Sequence, residues 1–170
     1  MPRSFDIVFE SPASVEQVHS AFGSRDYWLA RNAEFDGGEK TLDSLTVDAD
    51  GVVRVVVTED LRHGALPGIL TKVYRGDLNI VTTEVWTPTG DGRVNGDIDV
   101  AVIGAPGRGG GTAVLQPAGS GSRMDLTGTI EFKIPLVGGP IESFLAKEFA
   151  QGIPEIQRFT AEWLSDRTKK

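Results

Sequence analysis

Apolar and polar positions change their period twice along this chain, from two to about three and a half near the start and again near the end. Phe5, Ile7 and Phe9 alternate with Ser4, Asp6 and Glu10, which predicts a half-buried strand broken by Ser11-Pro12. Ser14-Val15-Glu16-Gln17 has the form of a capping box, and Val15, Val18 and Phe22 follow at helical spacing up to Gly23. Ser24 is placed to cap a second short helix carrying Tyr27, Trp28 and Ala30 to Ala33, which stops before Gly37-Gly38.

From Glu39 to Lys133 the period is two, and turn residues cut it into strands. Thr41 to Val47 leads through Asp50-Gly51, a strong hairpin signal, into Val52 to Leu61, with Val53, Val55 and Val57 on one face. Leu78 to Thr87 ends at Pro88. Asp91-Gly92 then turns into Val94, Gly96, Ile98, Val100 and Val102, alternating with Asn95, Asp97, Asp99 and Ala101 as in a half-solvated antiparallel strand. The glycine-rich run Gly104 to Gly111 is read as a flexible hairpin tip, followed by a strand over Thr112 to Gln116. After a Gly-Ser-Gly turn, Met124, Leu126, Gly128, Ile130 and Phe132 face inward on the last strand. Seven strands are expected. Leu61 to Gly76 is the exception, because Leu66, Ile69, Leu70 and Val73 fit one short amphipathic helix.

The second change of period is the larger one. Gly139 is suited to an N-cap, Pro140 to the first helical position and Glu142 to the first turn. Beyond them Ile141, Phe144, Leu145, Phe149, Ile153, Ile156, Phe159, Trp163 and Leu164 form one stripe, with Lys147, Gln151 and Arg158 opposite. A helix of about 24 residues runs on the order of 36 Å, the width of a small domain. Gly152 interrupts the bulk of the stripe, Pro154 removes an intrahelical bond, and Glu148 falls between Ile141 and Phe144 on the apolar side.

Composition narrows the chemistry. The 170 residues, 39% hydrophobic, suffice for a single domain over the whole chain, 1–170. A net charge of −7 without basic clusters disfavours nucleic acid as a partner, and no apolar run of membrane-spanning length argues against stable membrane insertion. The N-terminus enters a strand pattern with no apolar leader, so a soluble cytoplasmic protein is expected. With no cysteine and two histidines, thiolate catalysis and Cys-ligated metals are excluded, and neither a metal nor a cofactor is expected. The glycine run lacks Gly-Lys-Ser/Thr and precedes a strand, which argues against a phosphate loop. Asp97 and Asp99 read as solvated, His19 as structural, and His63 as a residue able to reach a ligand.

The order of strand, two short helices, six antiparallel strands and one long helix resembles the START-like superfamily, the fold of the birch-pollen allergen, polyketide cyclases and lipid-transfer domains. Ser14 to Val18, Tyr27-Trp28, Thr83-Glu84-Val85-Trp86, Ile134 to Glu142 and Trp163-Leu164 carry the resemblance, which extends over the whole chain. It is close to a branch of unassigned function known mainly from actinobacteria, with Pro-Leu-Val-Gly-Gly-Pro-Ile-Glu its most specific run. The resemblance implies an α+β helix-grip fold: a seven-stranded antiparallel sheet wrapped around the C-terminal helix, with an apolar cavity between them. It supplies no catalytic residues.

Candidate ligand-binding residues follow from the anomalies of the long helix and from the residues expected to face it: Trp28, Leu66, Leu70, Glu84, Trp86, Met124, Glu148, Phe149, Gly152 and Ile156. Gly152 reads either as missing volume that a ligand fills or as a site packed by a tryptophan or Met124. Glu148 reads either as a core-facing polar group or as a solvated residue, and Glu84 faces inward if Trp86 does, by the two-residue repeat. Leu61 to Gly76 is a candidate lid. Three functions stand open: binding or transport of a small hydrophobic or amphipathic ligand, an aromatase/cyclase-type enzyme using Glu148, Glu84 or His63, and an interaction module without a ligand. The oligomeric state is not legible.

Overall fold

The computed structural model describes residues 3–35, 39–61, 78–134, 136 and 138–168. Among these the strands are β1 (Arg3–Ser11), β2 (Glu39–Val47), β3 (Val53–Leu61), β4 (Leu78–Pro88), β5 (Val94–Ile103), β6 (Gly107–Ala118) and β7 (Gly121–Phe132). The helices are α1 (Val15–Phe22), α2 (Arg25–Glu34) and α3 (Gly138–Thr168). The seven strands form one antiparallel sheet in the order β1-β7-β6-β5-β4-β3-β2, so α1 and α2 carry the chain from one sheet edge to the other. This is the α+β helix-grip architecture. The expected lid over Leu61 to Gly76, with Leu66, Leu70 and His63, lies outside the described residues except for Leu61 at the end of β3.

Local chemistry accounts for most boundaries. Ser14 Oγ accepts from Gln17 N at 3.2 Å while Gln17 Oε1 accepts from Ser14 N at 2.9 Å, the reciprocal capping box. At the β2–β3 hairpin Gly51 has φ 81°, and Asp48 Oδ1 accepts from the Asp50 and Val52 amides at 2.8 and 3.0 Å. His19 ties this tip to α1: its Nε2 lies 2.6 Å from Gly51 O, and because a carbonyl only accepts, Nε2 is the protonated nitrogen.

Several expectations are corrected. Ser24 occupies the N-cap of α2, yet its side chain makes no capping hydrogen bond. Helix α3 starts at Gly138, so Gly139 is not its N-cap. With that start Glu142 lies past the first turn; it is buried and accepts from Phe132 N at 2.8 Å through Oε2, a tie between helix and sheet.

The glycine run supplies a further correction. Only 104–106 form the turn; from Gly107 onward the chain is strand, with Gly107 paired to Phe132 and Gly111 to Gly128. A Cβ on Gly111 would lie 2.5 Å from Thr127 O, and one on Gly107 would lie 2.4 Å from the Phe132 ring, so this strand packs closely because its side chains are missing. The same device recurs: Trp86 lies over Gly96 and Phe5 over Gly128, each aromatic directly opposite its glycine in the register.

Helix α3 packs chiefly on β1 and β7 across this inner face. Apolar side chains gather in two clusters. One is built around Phe22, Tyr27, Trp28 and Trp86 and the other around Leu78, Ile130, Phe132 and Ile141.

Candidate ligand-binding site

Between the inner face of the sheet and α3 lie two adjoining chambers of about 300 and 270 Å³. They share Glu59, Ile80, Ile98, Val100, Leu126, Phe149 and Ile153 in their walls and are therefore adjacent bays. Ligand pockets commonly span roughly 300–1,000 Å³, and the first bay lies at the lower end of that range.

The first bay exists because β6 offers no bulk where it crosses the sheet. Gly109, Gly110 and Gly111 line it, with Leu78, Ile130 and Phe132 beside them and Phe144, Leu145 and Phe149 of α3 facing them. Close-packed interiors leave space only where neighbouring atoms cannot collapse, and here hydrogen-bonded backbone holds the floor open. Phe5 stacks on Phe149 at 6.0 Å between ring centroids and fixes the α3 side of the wall. Phe144 and Glu148 line this bay and are also exposed, so the space meets solvent at their side.

The second bay is walled by Phe22, Trp28, Trp86, Met124, Phe149 and Ile156 and carries the polar groups. Trp28 and Trp86 are 1% and 2% exposed, and both indole N–H groups are used internally: Trp28 Nε1 donates to Phe22 O at 2.7 Å and Trp86 Nε1 to Glu84 Oε1 at 3.1 Å. Glu84 is itself 7% exposed, and its Oε2 lies 3.7 Å from Arg31 Nη2. The Arg31 guanidinium stands 4.5 Å from the centre of the Trp28 ring, a cation–π contact. Burial alone lowers the pKa of Arg31, but Tyr27 and Glu84 together raise it above its ordinary value, so the guanidinium stays charged. Lys40 and Glu59 also line this bay and lie 3.7 Å apart.

Of the expected site residues, Trp28, Glu84, Trp86, Met124, Phe149 and Ile156 line the second bay, and Glu148 and Phe149 line the first. Trp86 and Glu84 are both buried, in keeping with the two-residue repeat. Glu148 is exposed, so its carboxylate is solvated at the opening rather than directed into the core. Gly152 is half-buried, lines neither bay, and a Cβ on it would meet nothing within 4 Å beyond the helix's own neighbouring backbone. Leu66 and Leu70 lie outside the described residues. Sequence reasoning passed over Arg31, Ile153 and the glycine floor of β6. The floor had one available signal, since Gly107, Gly109, Gly111, Ala113 and Leu115 continue a period of two.

Among the described residues no group of three His, Asp or Glu side chains is placed to hold a metal ion, and no helix is long and apolar enough to cross a membrane.

A family model described as "Protein of unknown function (DUF2505)" matches residues 6–164. An uncharacterized protein of Mycobacterium tuberculosis, Rv0481c, is 40% identical over 98% of this chain and 99% of its own. Among solved structures, TTHA0849 from Thermus thermophilus matches with a TM-score of 0.60 at 18% identity, over 97% of this chain and 99% of that one. A START superfamily protein from Mycobacterium smegmatis matches with a TM-score of 0.55 at 14% identity, over 95% and 98%. Similarity at these identities shows a shared fold, the START-like helix grip.

Proposed function

The chain belongs to the DUF2505 family, and on that premise we propose that it binds or carries a small hydrophobic or amphipathic ligand in the space between the sheet and α3. The observation that supports this most directly is the pair of adjoining apolar bays, kept open by the side-chain-free stretch of β6 and walled by Phe149 and Ile153 on both sides. An apolar space of this size offers an apolar ligand dispersion contacts that water does not supply, and a few polar groups at one end suit an amphipathic molecule with its head group inward. The START-like fold of the structural neighbours agrees with such a role.

Native mass spectrometry of the purified protein tests the proposal, with an apolar fluorescent dye as a second probe. Ile98→Trp, at a wall position shared by both bays, is the control because it fills the space. The wild type is expected to carry a small-molecule adduct or bind the dye, and a folded Ile98→Trp protein to do neither. Absence of both signals in the wild type refutes the proposal.

A further inference from the structure

We infer that the second bay is selective for a neutral, hydroxyl-bearing head group, held between Arg31 and Glu84, on an otherwise apolar ligand. This rests on the binding role proposed above and adds the chemistry of the ligand's polar end.

The charges around the bay set the first constraint. Among the described residues that line it there are two cations, Arg31 and Lys40, and two carboxylates, Glu59 and Glu84. Each cation faces one carboxylate at 3.7 Å, so the described lining of the bay is charge-balanced without a ligand. An ionised head group entering it would be desolvated beside a pair that is already neutralised, and would meet repulsion from one member as strong as the attraction from the other. A neutral head group avoids this cost.

Geometry sets the second constraint. The separation of 3.7 Å between Arg31 Nη2 and Glu84 Oε2 exceeds a hydrogen bond, while an oxygen at roughly 2.8 Å from each closes the gap. Such an oxygen accepts from the guanidinium and donates to the carboxylate, which a hydroxyl does and an ether or ketone oxygen does not. Glu84 is held ready for it: Oε1 is engaged by Trp86 Nε1 at 3.1 Å, which leaves Oε2 turned toward Arg31. Arg31 is oriented in turn by its position over Trp28. A water bridging the two groups would make the same pair of hydrogen bonds, so a ligand hydroxyl that displaces it loses neither, while the alkyl part fills the apolar remainder of the space.

A ten-carbon series separates head-group chemistry from apolar burial: 1-decanol, decyl methyl ether, decanoate and decylammonium, titrated against the full chain and followed by tryptophan emission and native mass spectrometry. The wild type is expected to bind 1-decanol at least tenfold more tightly than either ion and severalfold more tightly than the ether. Glu84→Gln leaves Arg31 uncompensated and is expected to move the preference to decanoate, whereas Arg31→Gln leaves Glu84 uncompensated and moves it to decylammonium. Equal binding of all four by the wild type overturns the head-group inference while leaving the binding role standing, and decanoate as the tightest wild-type ligand overturns it as well. Failure of all four to bind, with no dye binding, overturns the binding role and this inference with it. Circular dichroism checks that the variants fold, and the wild-type order is decisive by itself if they do not.

Discussion

Replacing Gly96 with alanine adds a single methyl group where the Trp86 ring already sits. The new Cβ would lie 2.4, 2.7 and 2.8 Å from Cζ3, Cε3 and Cη2 of Trp86. Carbon atoms are at ease at about 3.5–4.0 Å, so the ring must retreat by roughly 1 Å. It has little freedom to do so, since Nε1 is bonded to Glu84 at 3.1 Å and the Phe22 ring packs against it with centroids 4.7 Å apart. Overpacking of this kind costs about 1–3 kcal/mol, and alanine recovers roughly 0.4–1 kcal/mol by restricting the unfolded chain. The net expectation is a loss of about 1–2 kcal/mol, which for a chain of this length lowers Tm by roughly 2–8 °C. Gly152→Ala is the matched control, because its added Cβ, inside a helix, meets nothing within 4 Å beyond the helix's own neighbouring backbone. There helix propensity acts without a steric penalty, and a gain of about 1 kcal/mol, or roughly 2–4 °C, is expected. Differential scanning calorimetry with urea titration measures both. A Gly96→Ala protein as stable as the wild type, or a destabilised Gly152→Ala protein, refutes the reasoning that ring cover at one glycine and open space at the other decide the sign.

Glu142→Ala removes the acceptor of the buried Phe132 amide and is expected to cost about 1–3 kcal/mol in urea denaturation, with Glu142→Gln costing less because an amide oxygen still accepts. Thr160 Oγ1 donates to Ile156 O at 3.0 Å, so in the 2.6 Å contact with Tyr27 the phenol is the donor; Tyr27→Phe is expected to cost about 1 kcal/mol by the same assay. The Arg123 guanidinium, hydrogen-bonded to Asp125, holds that carboxyl below the ordinary aspartate range, so its stabilisation is complete above about pH 4 and lost as the pH falls through the lower folded value. Asp125→Asn is therefore expected to flatten the acid limb of a Tm-versus-pH curve without changing its slope above neutral pH.

The fold class was readable because it rests on patterns that repeat within a few residues. Alternation in β1, β5 and β7, the capping box at Ser14, the turn glycine at 51 and the stripe of α3 are local consequences of steric preference and amphipathic burial, and each carries its own signal. The first half of β6 carried that signal only as a two-residue spacing of Gly107, Gly109 and Gly111 with Ala113 and Leu115, and a glycine has no side chain to mark a face. Only its register, with Gly107 opposite Phe132 and Gly111 opposite Gly128, makes it strand and turns the missing side chains into the floor of a chamber. The same limit applied to the carboxylates of α3. Periodicity placed Glu148 within the apolar stripe, yet the sheet covers the side of the helix where Glu142 lies, so Glu142 is buried on the Phe132 amide and Glu148 is solvated. Arg31 sits in a polar stretch of α2 that gives no hint of a site, and it acquires a role because the crossing from β1 to β2 carries α2 to the bay that Glu84 lines. A sequence states which residues prefer burial; which of them face one another across a cavity depends on contacts between distant segments, and those are decided by the packing of the helices against the sheet.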